Sequence, residues 1–188
     1  MAQLYFYYGC MGCSKTAQAL MMRFNYEQQG KKVALLKPTV DTRTPEGIVQ
    51  SRIGLRSEAI SVRREDNISR LFVEAKNSLP DIIIVDEAQF LTERQVDQLK
   101  DLALAGFPVL CYGLKTDFQT HLFEGSKRLI EIADSIQEIP ILCKCGRKAE
   151  VNARISGNRI IKTGNQILIG DGERYRPMCY RCWKNNLI

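Results

Sequence analysis

Histidine is almost absent from this chain: His121 is the only one among 188 residues. Catalysis through a histidine dyad and metal sites rich in imidazole are therefore excluded. Any proton acceptor must be a carboxylate, a lysine, a tyrosine or a cysteine. His121 itself sits in a polar stretch and reads as a surface residue. No apolar run approaches the roughly 18 residues that a membrane-spanning helix needs. The first residues lack a basic segment followed by a hydrophobic core, so no export signal is expected and the cytoplasm is the expected location. Charge of one sign is not extreme either. A net charge of +6 can be offset by bound phosphates, so it does not require a nucleic-acid partner, and none is expected.

Two short segments stand out against this background. The first is Gly9-Cys10-Met11-Gly12-Cys13-Ser14-Lys15-Thr16, which follows the apolar run Leu4-Tyr5-Phe6-Tyr7-Tyr8 and opens into a helix-compatible stretch. That is the strand–loop–helix setting of a phosphate-cradling loop. Backbone N–H groups and a helix N-terminus form the anion site, Lys15 reaches the terminal phosphates, and the Thr16 hydroxyl suits Mg²⁺. The loop departs from its usual pattern at Ser14, where glycine is preferred because the backbone approaches the phosphates and adopts positive φ. The second segment is Ile82-Ile83-Ile84-Val85-Asp86-Glu87-Ala88-Gln89. It reads as a buried strand ending in adjacent carboxylates, Asp86 suited to a metal's water shell and Glu87 free to take a proton. Together the segments imply ATP and phosphoryl transfer.

The remaining pattern predicts strands at 3–8, 33–36, 59–62, 82–85 and 108–112, and residues 135–142 lead to the first cysteine pair. The strands alternate with helices at 15–29, 67–78, 92–105 and 127–133. Thr92-Glu93-Arg94-Gln95 has the form of a capping box, and Gly30 stands where a helix end favours glycine. Residues 37–58, with two prolines, two glycines and several Arg and Thr, read as a long irregular loop. Strands apolar on both faces, separated by amphipathic helices, imply an α/β fold with a parallel sheet covered on both faces. Ligands in such sheets bind beyond the carboxyl ends of the strands. The phosphate loop, the two acids and the 113–118 loop all fall at that edge.

After Leu142 the pattern changes to short strands, at 150–155, 159–162 and 166–169, with a hairpin at Gly157-Asn158. Residues 1–142 are thus expected to form an ATP-binding α/β domain, and 143–188 a small second unit. So small a piece buries too little apolar surface to fold unaided. Seven cysteines in a protein expected in the cytoplasm favour thiolates or metal over disulfides. Cys143-Lys144-Cys145-Gly146 and Cys179-Tyr180-Arg181-Cys182 form two close pairs that can close a tetrahedral Zn²⁺ site around a lasso of 33 residues, 146–178. Cys111 reads as core. Cys10 and Cys13 read as small loop residues, with redox sensitivity a secondary reading.

With the phosphate loop, the Asp86-Glu87-Ala88-Gln89-Phe90 run, Tyr112-Gly113-Leu114-Lys115-Thr116-Asp117-Phe118 and a cysteine-pinned lasso in that order, the chain resembles the type II thymidine kinases across 2–183. The resemblance implies transfer of the γ-phosphoryl of ATP to the 5′-hydroxyl of thymidine, or of deoxyuridine, with Mg²⁺. It implies that residues 9–16 hold the phosphates together with Asp86, Glu87, Ala88 and Gln89. Glu87 would accept the proton, and Asp86 would bind a water of the Mg²⁺ ion. Met11, Leu114 and Phe118 would surround the thymine. Gln166, Ile167, Leu168, Ile169 and Gly170 would hold the base through their backbone, and Tyr175 would meet the nucleoside. Cys143, Cys145, Cys179 and Cys182 would ligate structural Zn²⁺. Asp41-Thr42-Arg43 matches a short family motif after the second strand. A homotetramer and feedback inhibition by dTTP are further implications.

Two other readings compete. The Val85-Asp86-Glu87-Ala88-Gln89 box also resembles that of nucleic-acid motors, although a helicase needs a second such lobe and one medium domain leaves no room for it. Ser14 motivates the other, a weakly active nucleotide-binding module.

Overall fold

A computed structural model describes residues 2–74, 79–166 and 174–188. Its centre is a six-stranded sheet built from β1 (Leu4–Tyr8), β2 (Val33–Pro38), β5 (Ile60–Val62), β6 (Ile82–Val85), β7 (Val109–Gly113) and β8 (Ser135–Glu138). The strand order is β5-β2-β6-β7-β1-β8, and every pairing is parallel. Because side chains alternate along a strand, each central strand feeds two cores. Leu4, Phe6, Leu36, Ile83, Val85, Val109 and Cys111 point to one face. Leu35, Ile82, Ile84, Leu110 and Tyr112 point to the other.

Helix α1 (Lys15–Gln28) covers the second face through Ala19 and Leu20, with Met22 and Tyr26 at its margin. It ends in a Schellman motif. Gly30, at φ 74°, donates to the Glu27 carbonyl, and the Lys31 N–H reaches the Tyr26 carbonyl. Helices α2 (Ile68–Glu74), α3 (Glu93–Leu104) and α4 (Glu124–Ile132) supply Ile68, Phe72, Val96, Leu99, Ala103 and Leu129 to the first face. Both bonds of the Thr92–Gln95 capping box are present at the start of α3. The doubly covered parallel sheet is the architecture that the apolar strands predict.

Several boundaries differ from the sequence expectation. The 37–58 segment is not irregular throughout: β3 (Ile48–Gln50) and β4 (Arg56–Glu58) pair as a hairpin. The Ser51 side chain and backbone fasten its turn to Leu55, and Gly54 supplies a φ of 89°. Helix α4 starts three residues early because tertiary packing sets its first turn. Ser126 Oγ donates to the Leu114 carbonyl at 2.5 Å, and a Cβ on Gly125 would lie 2.5 Å from the Ala88 carbonyl oxygen. Strand β8, over a stretch to which the sequence pattern assigns no element, stops at Glu138 short of Pro140, which has no N–H to donate to a ladder. The expected continuation of α2 over 75–78 lies outside the described residues.

A separate three-stranded sheet, ordered β10-β9-β11, is made by β9 (Val151–Ser156), β10 (Arg159–Ile161) and β11 (Arg174–Met178). The hairpin at Gly157-Asn158 joins β9 to β10. The short helix α5 (Tyr180–Lys184) follows. Ala149, Ala153 and Met178 pack with Cys10, Cys143, Cys179 and Cys182 into a third apolar cluster, which presses this unit against the phosphate loop. Of the strand expected over 166–169, Gln166 lies in a bend and the rest falls outside the described residues.

Candidate active site

All six strands of the main sheet run the same way, so the loops after β1, β2, β6 and β7 converge at one edge. They enclose a cavity of about 480 Å³ lined by Met11, Gly12, Ser14, Lys15, Thr16, Lys37, Asp41, Arg43, Arg52, Asp86, Glu87 and Leu114 among others.

The loop after β1 turns tightly. A Cβ on Gly9 would lie 2.4 Å from the Ile139 carbonyl oxygen, so only glycine fits there. Ser14 caps α1 at φ 67°, ψ 24°, without a side-chain capping bond. A serine thus holds the left-handed conformation for which glycine is ordinarily chosen, at a cost of about 1–2 kcal/mol. The Lys15 ammonium is buried and folds over the loop, donating to the carbonyls of Gly9 at 2.8 Å and Cys10 at 2.9 Å.

At the end of β6, Asp86 is buried and accepts a hydrogen bond from the Thr16 side chain. Burial, reinforced by the Glu87 charge, pushes its carboxyl up to about 7. Two buried acids side by side with Thr16 between them and the phosphate loop make a place that favours a cation. Glu87 holds a left-handed backbone, φ 53°, ψ 37°, another strained residue at the working edge. Its two oxygens have separate partners. Oε1 is ion-paired with the Arg43 guanidinium, and Oε2 accepts from Gln89 Nε2 at 2.5 Å. Gln89, fully buried, also accepts from the Leu114 N–H at 3.0 Å, which fixes the acid relative to the loop after β7. Arg43 is held in turn by Asp41 at 2.6 Å, and Asp41 by Lys37 at 3.2 Å. Burial alone would raise the Asp41 carboxyl. The bonds to Arg43 and Lys37 outweigh it and hold that group below its ordinary value.

Away from the cavity, the sulfur atoms of Cys143, Cys145, Cys179 and Cys182 all lie within 4.8 Å of one another. A tetrahedral site with metal–sulfur bonds of about 2.3 Å needs sulfurs roughly 3.8 Å apart, so this cluster fits Zn²⁺. Gly146, at φ 83°, turns the chain after the first pair.

The thymidine kinase family model matches residues 2–183. A thymidine kinase of Rhodopirellula baltica is 44% identical over 182 residues, covering 95% of this chain and 86% of its own. One of Zymomonas mobilis is 44% identical over 185 residues, covering 96% and 95%. A Streptococcus pyogenes relative of the same description is 42% identical over 187 residues, 98% of both chains. The chain belongs to the thymidine kinase family. It is therefore an enzyme, a kinase that uses ATP.

Of the residues expected from the sequence, Met11, Gly12, Ser14, Lys15, Thr16, Asp86, Glu87 and Leu114 come together on the one cavity. Gly9, Cys10 and Cys13 support the loop from beneath, both thiols being buried, and burial pushes Cys10 up to about 11. Ala88 is buried in the main core. Phe118 is only 1% exposed and lies under the Arg154 guanidinium, 3.6 Å from its ring centroid, and does not line the cavity. Tyr175 meets the same arginine through its hydroxyl. Gln166 donates to Asp117 at 3.0 Å. Ile167, Leu168, Ile169 and Gly170 lie outside the described residues.

Sequence reasoning gave no role to Arg43, Asn152 or Arg154. Asn152 Oδ1 accepts the Met11 N–H at 2.7 Å and Nδ2 donates to the Thr116 carbonyl at 3.3 Å, bracing the phosphate loop from the cysteine-bearing unit. The signal for it and for Arg154 was present. In Val151-Asn152-Ala153-Arg154-Ile155, two polar residues two apart share one face of an otherwise apolar strand.

Proposed function

We propose that this kinase transfers the γ-phosphoryl of ATP to the 5′-hydroxyl of thymidine, giving dTMP, with deoxyuridine as a second acceptor. The observation that carries this reading is that the Glu87 carboxylate and the phosphate loop line the same cavity. Phosphoryl transfer depends mainly on positioning and charge neutralisation. Lys15 and the free N–H groups at the start of α1 meet the phosphates. Thr16 and Asp86 are the residues suited to Mg²⁺, which when bound neutralises the charge that develops on the phosphoryl oxygens. Glu87 accepts the proton of the 5′-hydroxyl as the new bond forms. Arg43 and Gln89 orient its two oxygens.

The thymine ring is held by Met11 and Leu114, with Phe118 behind them, by the backbone of residues 166–170, and by Tyr175. Cys143, Cys145, Cys179 and Cys182 hold structural Zn²⁺, and residues 143–188 act as a nucleoside-binding unit attached to the ATP-binding domain of residues 1–142. A homotetramer, feedback inhibition by dTTP and a cytoplasmic location complete the reading. No helix among the described residues is long and apolar enough to cross a membrane, which is compatible with that location.

The test is a transfer assay with γ-labelled ATP, Mg²⁺ and a panel of nucleosides, run beside ATP hydrolysis with and without single-stranded DNA. Label on thymidine is expected. Hydrolysis stimulated by DNA, with no nucleoside labelled, would contradict the proposal.

A further inference from the structure

Arg154 is among the largest fully buried side chains of the protein, 1% exposed. It lies on β9 directly across from Tyr175 on β11. Its Nε and Nη2 donate to the Tyr175 hydroxyl at 3.0 and 2.8 Å, and Nη2 also donates to the Asn165 carbonyl at 2.9 Å. The plane of the same guanidinium covers the Phe118 ring at 3.6 Å. The neighbouring backbone leaves no slack, since a Cβ on Gly164 would lie 3.4 Å from Nη1 and 4.0 Å from the Phe118 ring. One side chain therefore gathers Asn165 and Tyr175, which flank residues 166–174, and fixes both against a residue from the loop after β7.

Burying a guanidinium is costly, and an apolar side chain would fill the same volume with less desolvation. What an apolar residue cannot do is grip a hydroxyl and a carbonyl with a planar fork while its face stacks on an aromatic ring. We infer that Arg154 is a positioning residue for nucleoside recognition, bracing against the buried Phe118 ring and holding the Tyr175 hydroxyl in the one arrangement in which it meets the nucleoside. This rests on the assignment of Phe118 and Tyr175 to the nucleoside.

The test compares wild type with R154K, Y175F and F118A, and with R154K combined with Y175F. The readouts are thymidine affinity by calorimetry, KM for thymidine and for ATP, and metal content. Lysine keeps the charge and loses the fork, so R154K is expected to weaken thymidine binding about tenfold or more, as loss of charged hydrogen bonds does. KM for ATP is expected to stay within about twofold and metal content to be unchanged. Because Arg154 acts through the tyrosine hydroxyl, the double variant is expected to be no weaker than about the worse single one.

Wild-type thymidine affinity in R154K, with Y175F and F118A impaired, would overturn the inference and leave the nucleoside assignment standing. Equal loss for thymidine and ATP with lost metal would reduce Arg154 to a fold-holding residue and overturn it too. Unimpaired Y175F and F118A would remove the nucleoside assignment itself, and the inference with it.

Discussion

The two halves of this molecule hold their working residues by different means. In the sheet half, Lys15 and Thr16 open α1 after the β1 loop, Asp86 and Glu87 follow β6, and apolar cores clamp those strands on both faces. Strain at Ser14 and Glu87 is tolerated there because the surrounding packing over-determines it. In the cysteine-bearing half the apolar cluster is small and includes three of the four paired thiols themselves. Its polar residues Asn152 and Arg154 then reach across to the other half. Thus the phosphate-loop edge is mounted on burial, and the unit proposed for recognition on hydrogen bonding and a thiol cluster that fits Zn²⁺.

That contrast can be broken most forcefully by stripping the metal. Zinc sites of this kind contribute about 10 kcal/mol or more to local folding. A strong chelator is therefore expected to unfold 143–188 and abolish thymidine binding while ADP binding is only moderately weakened, through loss of the Asn152 brace. The only tryptophan, Trp183, adjoins Cys182 and reports the event by fluorescence. Loss of ADP affinity in step with thymidine affinity would mean that the halves fold as one. Next in size, Ile84→Ala leaves a cavity in the sheet core and is expected to cost about 2–5 kcal/mol, read by denaturant unfolding, with both ligands affected together. Asn152→Ala orphans the Met11 N–H at a cost of about 1–3 kcal/mol. It should loosen ADP binding moderately and leave metal content unchanged. Smallest is Ser14→Gly. Relief of the left-handed serine is expected to stabilise by about 1 kcal/mol, seen as a rise of about 2–4 °C in Tm. A fall in Tm would mean that the serine side chain contributes something the backbone angle does not reveal.

Legibility from sequence follows the same divide. Ile82-Ile83-Ile84-Val85 announces a strand buried on both faces because nothing in it suits water, and the acids that follow can only lie at its end. Gly30 and the Thr92–Gln95 box announce helix boundaries because their roles are local. The start of α4 was not legible: Gly125 and Ser126 are set by contacts with Ala88 and Leu114, remote in sequence. The hairpin at Ile48–Gln50 and Arg56–Glu58 was hidden by composition, since a turn fastened by one serine leaves no apolar alternation. Arg154 was marked only as a polar residue on an apolar strand, and its role was not legible. A buried arginine is recognised by its partners, and those partners come from three separate places in the chain.

The central claim is that Glu87 takes the proton beside the bound triphosphate, and Glu87→Gln measures it most directly. The amide retains the shape and the contact to Gln89 but cannot accept a proton. Single-turnover transfer to thymidine, measured beside ADP affinity, is expected to fall about a hundredfold or more, with ADP affinity nearly unchanged. Transfer at close to the wild-type rate would contradict the account.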